Sequence, residues 1–136
     1  MNKTQLVELV RNSLGDYAEE NRIIGYKPEF THEDYLKAIE ASVRDFNIRP
    51  PMITAYSIPR LPATITNIIV NGAIYHLLSR GIFKKARNFV GIRDDGIYVN
   101  AEENINLYIK LLDFTKRQFE ESCDNLKASM NIESLL

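Results

Sequence analysis

Four of the chain's five prolines fall between residues 47 and 62, in Asn-Ile-Arg-Pro-Pro-Met-Ile-Thr-Ala-Tyr-Ser-Ile-Pro-Arg-Leu-Pro. Proline fixes its own φ, supplies no N–H and drives the residue before it out of helical geometry. No regular helix can cross this stretch, so whatever precedes it and whatever follows it must fold as separate elements. The segment is nonetheless too apolar for a free linker. Met52, Ile53, Tyr56 and Ile58 make it an extended, proline-rich arm with contacts to offer, either to its own core or to a neighbouring subunit.

Helical periodicity governs both sides of the arm. Leu6, Leu9, Val10 and Leu14 recur at helical spacing over residues 4–14, and Gly15 can close that helix in the left-handed region. Residues 15–30 read as a loop punctuated by Gly25 and Pro28. Thr31 with Asp34 three residues later forms a capping box, and Tyr35, Ile39, Val43 and Phe46 make one apolar stripe behind it. Beyond the arm, Pro62 suits a first helical turn, and Ile65, Ile68, Ile69, Ala73, Leu77 and Leu78 form a broad apolar face. Gly72 inside that helix costs about 1 kcal/mol relative to alanine and marks a close approach; Gly81 is a point for an end or a kink.

Residues 89–99 carry Asp95-Gly96, a turn signal, followed by the strand-like Ile97-Tyr98-Val99, and so predict a small β-hairpin. A long helix follows over 101–129. Asn100 and Glu103 can cap it, and Ile105, Tyr108, Leu112, Thr115, Phe119, Ser122, Leu126 and Met130 repeat in steps of three and four. At 1.5 Å per residue it would be roughly 40 Å long. The expected fold is mainly α: one domain spanning 1–136, four-helix in type, with the arm at 47–62, the hairpin at 89–99 and the long C-terminal helix.

The 136 residues carry 17 basic and 18 acidic side chains, a formal net charge of -1. No global positive field therefore holds nucleic acid. The basic cluster is Lys84, Lys85, Arg87 and Arg93, with Arg80 upstream. It is either a solvated helix end or a set of phosphate contacts. The lone Cys123 rules out an intramolecular disulfide and a cysteine-based zinc site. The polar N-terminus lacks the apolar core of a secretion signal, and no apolar run approaches the roughly 20 residues that span a bilayer, so the expected setting is the cytoplasm without a membrane.

Catalytic, cofactor and metal sites are expected to be absent. His32 reads as an exposed first-turn residue, His76 as a packing or surface residue, and Cys123 as a small core residue. Around Asp94-Asp95-Gly96, Gly96 and Glu102 match the glycine and closing glutamate of a calcium loop, but Gly91 and Arg93 stand where two oxygen ligands belong.

The order of these features resembles a known family. Phe30-Thr31-x-x-Asp34-x-Leu36 opens a helix that ends near Asn47 and two prolines. Then come Gly72-Ala73-x-Tyr75-x-Leu77-Leu78, Arg87, Asp94-Asp95-Gly96-Ile97-x-Val99, Tyr108, Lys127 and Asn131. Across most of 28–131 this is similar to the head-to-tail connector, or neck adaptor, proteins of tailed bacteriophages. The resemblance implies a virion structural subunit, assembled in the host cytoplasm into a homo-oligomeric, twelvefold ring beneath the portal protein. That ring would extend the channel through which DNA slides without sequence recognition, and would dock the tail or further neck proteins. The apolar arm is long for that pattern and leaves the tier of the neck open.

A ring needs self-propagating contacts between unlike surfaces. Met52, Ile53, Tyr56, Ile58, Ile97 and Tyr98 are the expected subunit-interface residues, and Lys84, Lys85, Arg87 and Arg93 the expected DNA-channel or phosphate contacts. The competing reading is a small cytoplasmic regulatory or adaptor protein that dimerises through its long last helix.

Overall fold

The computed structural model describes residues 2–15, 30–89 and 95–135, with side chains described over 2–15, 30–81 and 106–133. Four α-helices make up the described chain: α1 (Lys3–Leu14), α2 (His32–Ile48), α3 (Ala63–Phe89) and α4 (Asp95–Leu135), with a short 3-10 turn at Ile58–Arg60. The mainly α expectation holds, and no strand occurs among the described residues. No helix among them is long and apolar enough to cross a membrane.

The local start and stop signals act as their chemistry predicts. Asn2 and Gln5 form a reciprocal capping box on α1, and Gly15 ends that helix at φ 67°. Thr31 and Asp34 do the same for α2, with the Thr31 N–H donating to Asp34 Oδ2 at 2.9 Å and the Asp34 N–H to Thr31 Oγ1 at 3.2 Å. Pro62 precedes α3 and its carbonyl accepts from the N–H groups of Ile65 and Thr66. Gly81 neither ends nor breaks α3, which runs on to Phe89.

The core lies where α1, α2 and α3 meet and where α4 closes over α2 and α3. Leu6, Val7 and Val10 of α1 pack with Tyr35, Ile39 and Phe46 of α2 and Ile65, Ile69, Ala73 and Leu77 of α3. Phe119 and Cys123 are α4's buried apolar contributions. Gly72 is the point of closest approach. A Cβ there would collide with Ser42 Oγ and come within 2.6 Å of the Phe119 ring. The neighbours it accommodates are thus side chains of α2 and α4. Ser42 sits in this junction with its hydroxyl donating to the Ile69 carbonyl at 2.8 Å, a bond that satisfies a buried polar group.

Two expectations are corrected. The hairpin at 89–99 is not formed: Phe89 is the last residue of α3, and Asp95–Val99 already belong to α4. Residues 90–94 lie outside the described residues. Ile97, Tyr98 and Val99 disfavour a helix by only tenths of a kcal/mol each, and Gly96 by about 1 kcal/mol. Extending an existing helix adds one hydrogen bond per residue without a new nucleus, and this outweighs such local preferences. α4 is therefore 41 residues long, about 60 Å at 1.5 Å per residue, rather than confined to 101–129.

The extended arm is not formed either. After Ile48 the chain folds back on its own subunit. The Thr54 N–H donates to the Asn47 carbonyl at 2.9 Å, while the Asn47 side-chain oxygen accepts from the Tyr56 N–H at 3.0 Å and from Thr54 Oγ1 at 2.9 Å. Ile58 and Leu61 are buried in the core. Enough apolar surface and enough acceptors lie within the subunit to hold the segment there.

Candidate functional site

α4 presents two apolar faces, and among the described residues one of them is buried in the core while the other is exposed. Thr115, Phe119, Cys123 and Lys127, spaced by four, are buried against α2 and α3. Leu107, Leu111 and Phe114, spaced i, i+4, i+7, are exposed by 63%, 48% and 57%. At about 100° per residue, that second stripe lies roughly 130° around the helix from the first. Gln118, Glu121 and Asn125 continue its line toward the C-terminus, and all three are exposed.

On nearly the opposite side of α4 from the stripe lies a cleft of about 350 Å³, walled by Asp45, Ile48, Arg49, Pro50, Tyr75, Lys116, Phe119 and Glu120. Its floor and walls are apolar and aromatic (Ile48, Pro50, Tyr75, Phe119), while its rim is charged. Two ion pairs and one histidine–carboxylate hydrogen bond hold the rim in place. Arg49 Nη2 lies 3.6 Å from Glu120, Lys116 lies 3.9 Å from the same carboxylate, and His76 Nε2 meets Asp45 Oδ2 at 2.7 Å. Arg49 is also held by a two-point bond to Asp124, Nε to Oδ1 at 2.7 Å and Nη2 to Oδ2 at 3.1 Å. That bond raises the guanidinium's pKa and lowers that of the Asp124 carboxyl.

Behind this cleft the fold-back segment is pinned by a buried lysine. Lys127 is wholly removed from solvent. Its Nζ donates to the carbonyls of Asn47 (3.3 Å) and Met52 and to Thr54 Oγ1 (3.0 Å), and it stands 4.7 Å from the centre of the Phe46 ring. Burial pulls the ammonium below the ordinary lysine range. Three acceptors match the three donors of an ammonium, so the group is satisfied without an acidic partner.

The residues singled out as interface candidates are dispersed. Ile53 is 81% exposed at the tip of the fold-back segment, and Ile48, at the end of α2, is 64% exposed. Met52 is half-buried, Tyr56 is half-buried with its ring 6.0 Å from that of Phe46, and Ile58 is buried within its own subunit. Ile97 and Tyr98 lie in the first turns of α4, and their side chains fall outside the described residues. Lys84, Lys85 and Arg87 lie in the last turns of α3, again with side chains outside the described residues, and Arg93 is outside them altogether. Arg80, upstream, is paired with Asp34 at 2.7 Å.

His32 is exposed, and His76 ties α3 to α2 through Asp45. Cys123 is fully buried, and its burial pushes the thiol up to about 11, far from a reactive thiolate. Among the described residues no cluster of histidine, cysteine and carboxylate side chains could hold a metal ion.

The outer stripe is hard to see in the sequence because a second periodic pattern runs beside it in the same helix. Leu107, Leu111 and Phe114 carry an i, i+4, i+7 signal of their own, one residue out of phase with Tyr108, Leu112 and Thr115. No protein-family model matches the chain, and neither a curated protein nor a solved structure matches it.

Proposed function

We propose that this chain is a structural subunit that assembles with copies of itself into a head-to-tail connector ring, without catalytic chemistry, cofactor or metal. The observation that carries the reading is the exposed stripe of Leu107, Leu111 and Phe114 on a helix whose other face already serves the core. Large apolar side chains aligned on one face and left in water mark an interaction surface rather than incidental exposure.

A ring also needs a second, unlike surface on each subunit. The exposed Ile48 and Ile53, with the cleft beside Ile48, offer one on separate elements. Near-neutral overall charge suits a channel through which DNA slides without being held. In this reading Lys84, Lys85, Arg87 and Arg93 are the residues that meet passing phosphates. The portal protein and the tail or further neck proteins bind the two ends of the ring, and the site of action is the neck of the virion.

Native mass spectrometry with electron-microscope imaging of the purified chain tests this. The expected result is a closed ring of many copies, twelve by the resemblance. A stable dimer with nothing larger at any concentration would overturn it in favour of an adaptor that pairs through α4.

A further inference from the structure

We infer that neighbouring copies join by seating Leu111 and Phe114 of one subunit in the cleft walled by Ile48, Pro50, Tyr75 and Phe119 of the next. The inference deepens the self-assembly reading above and rests on it.

Three observations carry it. The first is position. At about 100° per residue, the mean direction of Leu107, Leu111 and Phe114 on α4 lies close to 170° from that of Lys116 and Glu120, which form the cleft's rim on the same helix. Protrusion and recess therefore sit on opposite sides of the subunit wall. A contact between them is head-to-tail and leaves one of each free at the ends, which is the arrangement that propagates and, with a constant rotation, closes.

The second is size and polarity. A recess of about 350 Å³ with an apolar floor is at the small end of the range for ligand sites, roughly 300–1,000 Å³. It has room for a few side chains. Glu120 is paired with Arg49 and Lys116, and Asp45 is bonded to His76 Nε2. Arg49 is shared with Asp124, so the carboxylates Asp45, Glu120 and Asp124 outnumber the cations Arg49 and Lys116 around the cleft. Lys110, exposed beside the stripe, brings the complementary charge to that rim, and each rim carboxylate keeps its own partner when the floor is covered.

The third is what the stripe cannot do well. If two copies paired stripe against stripe in parallel along α4, the apolar residues 107–114 would be followed by Gln118, Glu121 and Asn125, and like charges at Glu121 would approach one another. Docking into the cleft uses only the two apolar turns and avoids burying that polar run.

Two variants decide the matter, Phe114→Glu on the protruding side and Ile48→Glu on the recess. Both positions are exposed, so each variant keeps its fold, which circular dichroism and the melting temperature verify; Leu111→Gln is the milder substitute on the stripe. Native mass spectra are recorded for the wild type, for each variant alone and for their equimolar mixture.

The expected result is loss of all species above monomer for each variant alone. The mixture then gives a dimer holding one copy of each variant and nothing larger, because only one intact protrusion and one intact recess can meet. An Ile48→Glu variant that assembles like the wild type overturns the inference, as does a wild type that stays monomeric at millimolar concentration.

The two proposals fail separately. Rings that persist in both variants leave the connector reading standing and refute this contact. Open chains that never close, yet collapse to the mixed dimer, refute the ring and leave this contact standing.

Discussion

Lys127 of α4 stands over the ring of Phe46 in α2, its Nζ 4.7 Å from the ring centre, and reaches past it to the backbone of the segment that leaves α2. One side chain thereby fixes the spacing of two helices and the path of residues 47–57. Its charge is held by carbonyl oxygens, a hydroxyl and an aromatic face, so its removal strands acceptors rather than an opposing charge.

Lys127→Ala is expected to destabilise the fold by about 3 kcal/mol, since it leaves buried acceptors unmet and opens a void where the lysine stem was. Lys127→Met keeps the stem and loses only the donors, so its loss should be smaller, about 1–2 kcal/mol. Urea unfolding gives the two values. Hydrogen exchange at the Thr54 and Tyr56 amides, which bond to Asn47, should rise earlier than exchange in α3.

Gly72→Ala tests the junction of α2, α3 and α4. Alanine favours a helix by about 1 kcal/mol over glycine, and on an open surface the substitution would stabilise. Here the new methyl group collides with Ser42 Oγ and the Phe119 ring. Overpacking of this kind costs about 1–3 kcal/mol. A net loss of stability on thermal unfolding is expected, and a gain would mean that α4 does not pack tightly at Phe119.

Cys123 should not react with an aromatic disulfide reagent in the native protein and should react at once after unfolding. Its pH signature has a definite sign. The folded thiol titrates near about 11, whereas an exposed one titrates near 8.5. Above that lower value the unfolded chain binds fewer protons than the folded one, so this group's contribution to stability falls as pH rises and levels off near the folded value. Cys123→Ala should flatten that part of the profile, as measured by unfolding midpoints across the alkaline range.

At acid pH the sign is the opposite one. Burial alone would raise Asp34, but bonds from the Thr31 backbone and hydroxyl, with Arg80 and Lys37 nearby, hold its carboxyl below the ordinary value. Arg49 does the same for Asp124. Both contribute stability above the unfolded carboxylate value near 3.9, and both lose it as pH falls through their lower folded values. Thr31→Ala should cost about 1 kcal/mol at neutral pH through loss of the cap. Asp124→Asn should cost less, about 0.2–1 kcal/mol, because the pair is partly exposed. Both variants should show a shallower acid limb in denaturant midpoints.

The helices were legible in the sequence to the extent that neighbours along the chain specify them. The capping pair Thr31 and Asp34, the left-handed Gly15 and the start beside Pro62 all depend on groups within four positions. The buried stripe of α2 was legible as well, because Tyr35, Ile39, Val43 and Phe46 repeat on one face and nothing competes with them.

In the last helix two apolar stripes compete. The spacing in the sequence puts Ser122 and Leu126 in line with Phe119, whereas Cys123, a core residue by its type, and Lys127 are the fully buried residues there. A lysine at such a position is assigned to solvent by its charge alone. The expected hairpin fails for a related reason: Asp95-Gly96 and Ile97-Tyr98-Val99 carry local turn and strand preferences that a continuing helix overrides.

A mainly helical chain, divided at its prolines, with particular caps and one unambiguous core stripe in α2, follows from the order of residues alone. Those outcomes follow from steric limits and hydrogen bonds between residues close in the chain. The packing of the helices sets which face of α4 lies in the core, buries Lys127, folds residues 47–62 back, and brings Ile48, Tyr75 and Phe119 to one cleft. Each of these depends on surfaces separated by tens of residues, and their energies arise only when the helices close on one another.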